Sequence, residues 1–193
     1  MYRIALVGKA NSGKNTTSTL ILNNLEGGKT IAFADPIKEI IKIMFPHVKK
    51  KHLYGSSKFR NTIIDRAKDK DGNPLTIRQA LIEIGTGLGR GMNEKVWLDV
   101  FDDRFSKLIN KKTNAVIVSD CRFRNEFDHL RNKGFFIIKI KREDELKINH
   151  ISETNQDLIK DNEFHFVLNN DGTIDDLDCI INGKLGSLLR KGV

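Results

Sequence analysis

Residues Arg3 to Thr17 read RIALVGKANSGKNTT. They predict a short apolar strand, a glycine loop and the start of a helix, and the loop fits G-x-x-x-x-G-K through Gly8, Gly13 and Lys14. Glycines let the backbone curl so that several N–H groups point at phosphate oxygens, and the helix start adds the positive end of its dipole. The stretch therefore predicts a P-loop for a nucleoside triphosphate, in which Lys14 reaches the β- and γ-phosphates.

The residue after the lysine departs from the usual pattern. Ser or Thr normally stands there and holds Mg²⁺, whereas this chain has Asn15, followed by Thr16. An amide oxygen can face a metal-bound water but is a poor direct ligand beside a carboxylate. Two alternatives stay open: contact with Mg²⁺ through water at Asn15, or contact through Thr16.

The composition is that of an ordinary soluble globule. The 193 residues suit a single domain, 1–193, and 39% of them are hydrophobic and 30% charged. No apolar run approaches the length of a membrane span, and the chain begins directly with a strand, so we expect neither membrane association nor a signal peptide. Cys121 and Cys179 show no metal-site spacing and no disulfide framework. We therefore expect a reducing, cytoplasmic setting.

The net charge of +8 admits a nucleic-acid partner. The lysines, however, are scattered and do not form a stripe with interleaved aromatic residues. A triphosphate and a monophosphate in one site would bring roughly six negative charges and engage several of these cations. We therefore favour small polyanionic substrates and expect no stable nucleic-acid partner.

Strands and helices alternate along the chain, which predicts an α/β fold. The strand candidates are Ile4–Val7, Lys29–Ala34, Ala115–Val118, Phe135–Ile140 and Phe164–Leu168. Helices between them imply right-handed crossovers, a parallel sheet and ligands at the carboxyl ends of the strands. The P-loop, Ala34-Asp35, Asp120 and Asn169-Asn170 all fall at such ends.

Capping and turn residues set the expected helices. Asp35-Pro36, Thr76, Asn93 and Thr173 each predict a helix start, and Gly134 predicts a helix end. The polar, basic stretch His47 to Pro74 predicts an insertion or mobile flap rather than core, and Gly85 to Gly91 predict a break in the helix that Thr76 begins. The last helix is expected to face inward through Ile174, Leu177, Ile181 and Leu188.

Six segments together resemble the bacteriophage deoxynucleoside monophosphate kinases, in the same order. They are GKANSGKNTT, FADPIKEI, RQALIEIGTGLGRGMNEKVWLDVF, VSDCRFRNEFDHLRNKGFFIIKIKR, NHISE and NNDGTIDDL. That family usually has Asp where this chain has Asn15, and His47 to Pro74 is shorter here and matches poorly. The resemblance implies a three-layer P-loop kinase fold with a five-stranded parallel sheet, an acceptor-binding insertion at about residues 36–95 and a short lid at about 141–161.

The resemblance also implies a reaction. The γ-phosphoryl group of ATP would pass, with Mg²⁺, to a deoxynucleoside monophosphate and give the diphosphate, a transfer that depends on positioning and charge neutralisation. It suggests a homodimer and, for a phage-encoded protein, the host cytoplasm.

Roles for individual residues follow from the loop geometry, the strand ends and the resemblance. The expected ATP-binding residues are Asn11, Ser12, Gly13, Lys14, Asn15, Thr16, Asn169 and Gly172. The expected acceptor-binding residues are Lys9, Ile37, Lys38, Arg78, Gln79, Gly85, Thr86, Trp97 and Asp120. The expected catalytic residues are Lys14, Arg122, Arg142 and Asp120, and Asn15 and Asp120 would face the metal through water.

Several of these assignments have a structural alternative. Trp97 either lies against the nucleobase or packs in the core, because it shares an apolar helix face with Val100 and Phe101. Arg124 would pair with Glu126 or Asp128 on the surface. His150 and Glu153, in the NHISE segment, are either structural or in contact with ligand.

Two rival functions remain at this point. A kinase resembling phosphomevalonate kinase shares a similar loop and the V-S-D strand end, but its substrate has no base, so a base-binding Trp97 would separate the two. A P-loop ATPase that binds nucleic acid is the other, and the net charge favours it.

Overall fold

The computed structural model describes residues 1–143 and 155–187. Its strands are β1 (Tyr2–Val7), β2 (Gly28–Ile31), β3 (Ile63–Lys68), β4 (Pro74–Thr76), β5 (Ala115–Cys121), β6 (Phe136–Lys141) and β7 (Phe166–Asn169). Its α-helices are α1 (Lys14–Asn23), α2 (Asp35–Met44), α3 (Lys50–Tyr54), α4 (Ile77–Ile82), α5 (Val96–Leu108), α6 (Arg124–Asn132) and α7 (Ile174–Ile180). Shorter helical segments are Ser57–Asn61, Asn155–Leu158 and Asp161–Glu163, and wide π-helical turns follow α4 at Glu83–Arg90 and α7 at Ile181–Leu185.

A five-stranded parallel sheet forms the centre of one compact unit, Met1–Ala32 with Asp102–Val193. The strand order is β2-β5-β1-β6-β7, and each neighbouring pair is parallel. The α/β fold with a five-stranded parallel sheet, predicted from the sequence, is confirmed. Ile4 and Leu6 of β1 pack with Ile21 of α1 and Leu177 of α7 in the core of this unit.

The connections of the sheet diverge between β1 and β6. The chain leaves β1 through α1 towards β2 on one side, and it leaves β6 towards β7 on the other side. In parallel sheets, ligands bind outside the carboxyl ends of the strands at the point where the connections change direction. The topology therefore selects the ends of β1 and β6 as the place to look for a site.

Phe33–Phe101 forms a second compact unit with its own core. The prediction that His47 to Pro74 lies outside the core is wrong, because Val48, Leu53 and Ile64 are 4%, 1% and 1% exposed and pack with α2 and α4. This stretch contains α3 and the antiparallel pair β3–β4.

The helix features predicted from local sequence are partly confirmed and partly wrong. Thr76 caps α4 as predicted: its hydroxyl accepts the Gln79 N–H, and the Gln79 side chain accepts the Thr76 N–H in return. The predicted break at Gly85 to Gly91 is wrong, because the backbone stays helical through wide turns there. The inward position predicted for Ile174 is also wrong, since this side chain is 65% exposed.

The bounds of the five sheet strands differ from those predicted by one to three residues, and most at the carboxyl ends of β2 and β5. β2 ends at Ile31 rather than Ala34, and β5 continues through Asp120 to Cys121. None of the helices within residues 1–143 and 155–187 is long and apolar enough to span a membrane. The predictions for His150, Glu153 and Leu188 concern residues outside the described ranges.

Candidate active site

The glycine loop, Gly8–Lys14, joins β1 to α1 and needs glycine at both ends. Gly13 has φ 99° and ψ 12°, a left-handed conformation that is strained for other residues. A Cβ on Gly8 would lie 2.5 Å from the carbonyl oxygen of Ile140 and 2.6 Å from Ser12 Oγ. Asn11 also has a positive φ of 66°. Such turns direct successive N–H groups into a concave surface that suits an anion.

Lys14 folds back over this loop. Its Nζ donates to the carbonyl oxygens of Gly8, at 2.5 Å, and Lys9, at 2.6 Å, and the residue is 8% exposed. The ammonium group is therefore held above the loop by neutral acceptors. Phosphate oxygens, being charged, would be stronger partners for the same group.

A cavity of about 440 Å³ lies at the ends of β1, β6 and β7. It is lined by Gly8, Lys9, Lys139, Ile140, Lys141, Arg142, Glu143, Gln156, Asp157, Asn169 and Asp171. The cavity thus occupies the point between β1 and β6 that the strand order selects. Three residues that the sequence predicted for the site, Lys9, Arg142 and Asn169, are brought together around it.

Acidic residues of the segment Asn155–Glu163 pair with the lysines beside this cavity. Lys9 Nζ lies 3.1 Å from Asp157 Oδ1. Lys141 and Lys139 both bind Asp161, the latter at 2.9 Å. These two hydrogen bonds hold the pKa of the Asp161 carboxyl below its ordinary value. The family resemblance implied a short lid at about 141–161, and the sequence gave no sign of these pairings.

The turn after β7 contacts the glycine loop. Asn170 is buried, and its side-chain amide donates to the Ser12 carbonyl at 2.8 Å. Its neighbours Asn169 and Gly172 are exposed. The Asn-Asn-Asp-Gly sequence indicates a turn, but it does not tell which asparagine faces the loop.

The end of β5 contains an irregularity that the sequence did not reveal. Ala5 pairs with Val118 but Val7 pairs with Cys121, so β5 has one extra residue between these pairs. Such a bulge redirects side chains and is frequent beside active sites. Asp120 is half-buried and lies in this bulge, between the residues of β5 that pair with Ala5 and Val7. Val7 is the last residue before the glycine loop.

The turn into α6 is held by a buried carboxylate. Glu126 Oε2 accepts the N–H groups of Arg122, at 2.8 Å, and Phe123, at 3.1 Å. This anchors the backbone of Arg122 directly after β5. Arg124 pairs with Asp128 at 2.9 Å, which is one of the two partners predicted for it. It also pairs with Glu163 at 2.7 Å.

In the second unit, two of the cations predicted for the acceptor have protein partners. Lys38 Nζ lies 2.9 Å from Asp35 Oδ1 and 4.6 Å from the centroid of the Tyr54 ring. Arg78 donates through Nε to Asn61 Oδ1 at 2.9 Å, and through Nη2 to the Ser57 carbonyl at 3.3 Å.

Trp97 is 6% exposed and packs against the π-helical segment. Its Nε1–H donates to the Gly85 carbonyl at 2.7 Å, and a Cβ on Gly89 would lie 2.4 Å from the indole. A Cβ on Gly85 would meet Ile37 at 3.0 Å, so Ile37 and Trp97 both contact this segment. Thr86 is half-buried in this segment. Gln79 is engaged in the capping box of α4, where its side chain accepts the N–H of the capping residue Thr76.

Sequence similarity to known proteins identifies the family of this chain. Residues 55–181 match a family described as deoxynucleotide monophosphate kinase. The chain belongs to this family. A protein of Acanthamoeba polyphaga mimivirus, provisionally assigned as a deoxynucleotide monophosphate kinase, is 30% identical over 199 residues, which cover 95% of this chain and 98% of the viral protein.

A solved structure also shows some similarity to this kinase. It is the unliganded structure of a sugar kinase from Janibacter sp. HTCC2649, with 15% identity, a TM-score of 0.42 and coverage of 97% of this chain and 94% of that one. At that score the similarity says nothing about function. Family membership by itself makes the protein a phosphotransferase that uses a nucleotide phosphate donor and acts in deoxynucleotide metabolism.

The described residues of this kinase contain no cluster of metal-ligating side chains. Among residues 1–143 and 155–187, no three His, Cys, Asp or Glu side chains are grouped so that they could hold a metal ion. Asn15 and Thr16 are exposed on the first turn of α1. Mg²⁺ keeps several waters and is bound largely by substrate phosphates, so one carboxylate such as Asp120 is compatible with it.

Proposed function

We propose that this kinase transfers the γ-phosphoryl group of ATP to a deoxynucleoside monophosphate and releases the diphosphate. The observation that supports it most is the position of the glycine loop and Lys14 at the end of β1, beside the cavity between β1 and β6. The family match covers residues 55–181 and leaves out this loop, so the loop and the match are separate lines of support.

The donor nucleotide would bind at the sheet edge of the first unit. We assign its phosphates to the loop residues from Asn11 to Lys14 and to the first helical turn at Asn15 and Thr16. We assign its base to the turn at Asn169 and Gly172. The cavity supports this assignment because Asn169 lines it together with Gly8, the first residue of the glycine loop.

The acceptor is assigned mainly to the second unit, Phe33–Phe101. That unit contains Ile37, Lys38, Arg78, Gln79, Gly85, Thr86 and Trp97. Arg78 suits a monophosphate because the guanidinium fork matches two oxygens. Binding would require it to exchange Ser57 and Asn61 for phosphate oxygens, which are charged and therefore stronger acceptors. For Lys9 and Asp120, a role in acceptor binding stays a prediction from the sequence.

The catalytic contribution of the chain is charge neutralisation and positioning. Lys14 would leave the carbonyls of Gly8 and Lys9 for the β- and γ-phosphates. Arg122 and Arg142 would balance the charge that spreads over the transferred group. Mg²⁺ would neutralise the donor phosphates, with Asp120 and Asn15 holding its waters. The acceptor phosphate is already an anion, so no side chain needs to remove a proton from it.

A panel assay tests this function. ADP release is measured with ATP and each of the deoxynucleoside monophosphates, their ribose counterparts, phosphomevalonate, and single-stranded DNA. We expect turnover with at least one deoxynucleoside monophosphate and none with phosphomevalonate or DNA. Turnover with phosphomevalonate alone, or ATP hydrolysis that only DNA stimulates, would contradict the proposal. Light scattering of the same sample tests the homodimer that the family resemblance suggests.

A further inference from the structure

Asn170 is a buried polar residue whose partner lies far away along the chain. It directly follows β7, is 6% exposed, and donates its side-chain N–H to the Ser12 carbonyl at 2.8 Å across 158 residues of sequence. None of the roles proposed above uses this contact. A buried hydrogen bond between two distant segments fixes their relative geometry.

The contact sets the direction of one peptide unit in the glycine loop. A trans peptide is planar, so the carbonyl oxygen of Ser12 and the N–H of Gly13 point in opposite directions. Because the oxygen points at Asn170, the Gly13 N–H points away from it. Glycine tolerates most backbone angles, so without a partner for the Ser12 oxygen this peptide could turn over.

Asn170 is itself held by the sheet. Its backbone N–H donates to the Lys141 carbonyl at 2.8 Å, at the end of β6. Its side chain also packs directly on Gly13, since a Cβ there would lie only 2.2 Å from Nδ2. The next residue, Asp171, accepts the Glu143 N–H at 2.7 Å. Through Asn170, the glycine loop is therefore linked by hydrogen bonds to the carboxyl ends of β6 and β7.

We propose that Asn170 is a positioning residue for the donor site, which orients the Ser12–Gly13 peptide so that the Gly13 N–H faces the donor phosphates. This inference rests on the proposed function. It adds a residue that touches no substrate and acts through the loop.

Two substitutions separate the hydrogen bond from packing. Asn170→Leu keeps the branching at Cγ and fills the site with a somewhat larger side chain that has no donor, and Asn170→Ala removes both the donor and the packing. The control is Asn182→Ala, because Asn182 is an exposed asparagine in the same unit whose amide binds only the side chain of Asp178 in the described contacts. Cooperative unfolding, amide hydrogen exchange of Ser12 to Lys14, ATP binding by calorimetry without acceptor, and KM for both substrates are measured for each protein.

We expect both Asn170 variants to lose about 10- to 100-fold in kcat/KM for ATP, because a displaced loop misplaces the reacting group. Amide exchange in the loop should be about tenfold faster or more. KM for the monophosphate should stay within about threefold, and the control should match the wild type in every measurement.

Three results would overturn the inference. The first is wild-type kcat/KM for ATP and unchanged exchange in Asn170→Leu. The second is an equal rise of KM for both substrates, which indicates a general loss of structure. The third is loss of cooperative unfolding in both variants, which makes Asn170 a fold residue only. A different outcome separates this inference from the proposed function. If the wild type binds ATP but phosphorylates no monophosphate, the proposed function is wrong, and ATP binding and amide exchange of the variants still test the role of Asn170. If the wild type binds no ATP, both the proposed function and the role of Asn170 are wrong.

Discussion

Lys14 shows how a single residue carries the proposed chemistry. Lys14→Ala should lower kcat by about 10³-fold, since it removes a cation that neutralises charge on the transferred group. The fold should survive, because the carbonyls of Gly8 and Lys9, which accept from Lys14, belong to the glycine loop and not to the hydrophobic core. The measurement is steady-state turnover together with a urea unfolding curve.

Lys29→Ala is the matched control for that prediction. Lys29 is also a lysine of the first unit that donates to a main-chain carbonyl, that of Leu108, at 2.8 Å. Its loss should leave turnover unchanged within about twofold. Equal losses in both variants, or full activity in Lys14→Ala, would remove the phosphate-binding role from the loop.

Trp97 tests the acceptor side at the same scale. Trp97 is the chain's only tryptophan, so the tryptophan fluorescence of the protein reports on this residue alone. The fluorescence should change when a deoxynucleoside monophosphate places its base against the indole, and phosphomevalonate, which has no base, should cause no change. Trp97→Ala should weaken the monophosphate by about 10- to 100-fold, and Trp97→Phe should recover much of this by keeping a flat apolar ring. The recovery should be incomplete, because phenylalanine has no donor for the Gly85 carbonyl.

Trp97 is also buried, so its loss affects stability as well as binding. Phe101→Ala is the control, since Phe101 is 2% exposed on the same helix and has no proposed role in binding. Both alanine variants should destabilise the protein by about 3–5 kcal/mol. If Phe101→Ala weakens the monophosphate as much as Trp97→Ala does, Trp97 acts only through the fold.

At the scale of elements, the sequence predicted those parts whose signals are local. Thr76 is a capping residue with Gln79 three positions on, and Asp35-Pro36 is a typical helix start; both helices are present. The order of the strands in the sheet and the bulge at Asp120 depend on pairing between distant segments, so no local pattern shows them.

The failures have physical reasons as well. Val48, Leu53 and Ile64 lie in a stretch rich in lysines and polar residues, where no periodic stripe marks them, yet each is buried. Gly85 to Gly91 looked like a break because glycine disfavours helices, but packing of Trp97 against Gly89 needs a residue without a side chain there. The contact of Asn170 with Ser12 joins residues 158 positions apart and lay beyond any sequence pattern.

The segment Asn155–Glu163 gives a prediction at this scale. Its attachment to β6 through Asp161 should weaken in acid. Hydrogen bonds from Lys141 and Lys139 lower the pKa of Asp161 below its ordinary 3.8, so the folded state favours the charged carboxylate. The resulting stabilisation is present above about pH 4 and is lost as the pH falls through the folded pKa. The difference in unfolding free energy between wild type and Asp161→Asn should therefore be constant from pH 7 to 5 and shrink below pH 4.

Urea unfolding at several pH values checks this, with Asp99→Asn, an exposed carboxyl on α5, as the comparison. A difference between wild type and Asp161→Asn that stays constant down to pH 3 would show that the pairing with Lys139 and Lys141 does not contribute to stability.

For the whole molecule, the distribution of charge matters more than the total of +8. The second unit contains a basic stretch, KKKH at Lys49–His52, in which Lys50 and Lys51 lie 6.0 Å and 5.7 Å from the ring centroids of Tyr54 and Phe59. No acidic residue occurs between His47 and Arg60. Positive potential of this kind raises the local concentration of anionic substrates and their rate of association.

Two double variants with the same net charge separate a local effect from a global one. Lys50→Gln with Lys51→Gln removes two charges from the second unit, and Lys111→Gln with Lys112→Gln removes two exposed charges from the first unit, so each changes +8 to +6. If the second unit receives the acceptor, only the first pair should lower kcat/KM for the monophosphate, by about three- to tenfold at low salt. That difference should vanish near 0.5 M salt, because the Debye length is then only about 4 Å. Equal losses in both pairs would mean that total charge alone attracts the substrate, and the acceptor would then have to be assigned without the help of this basic stretch.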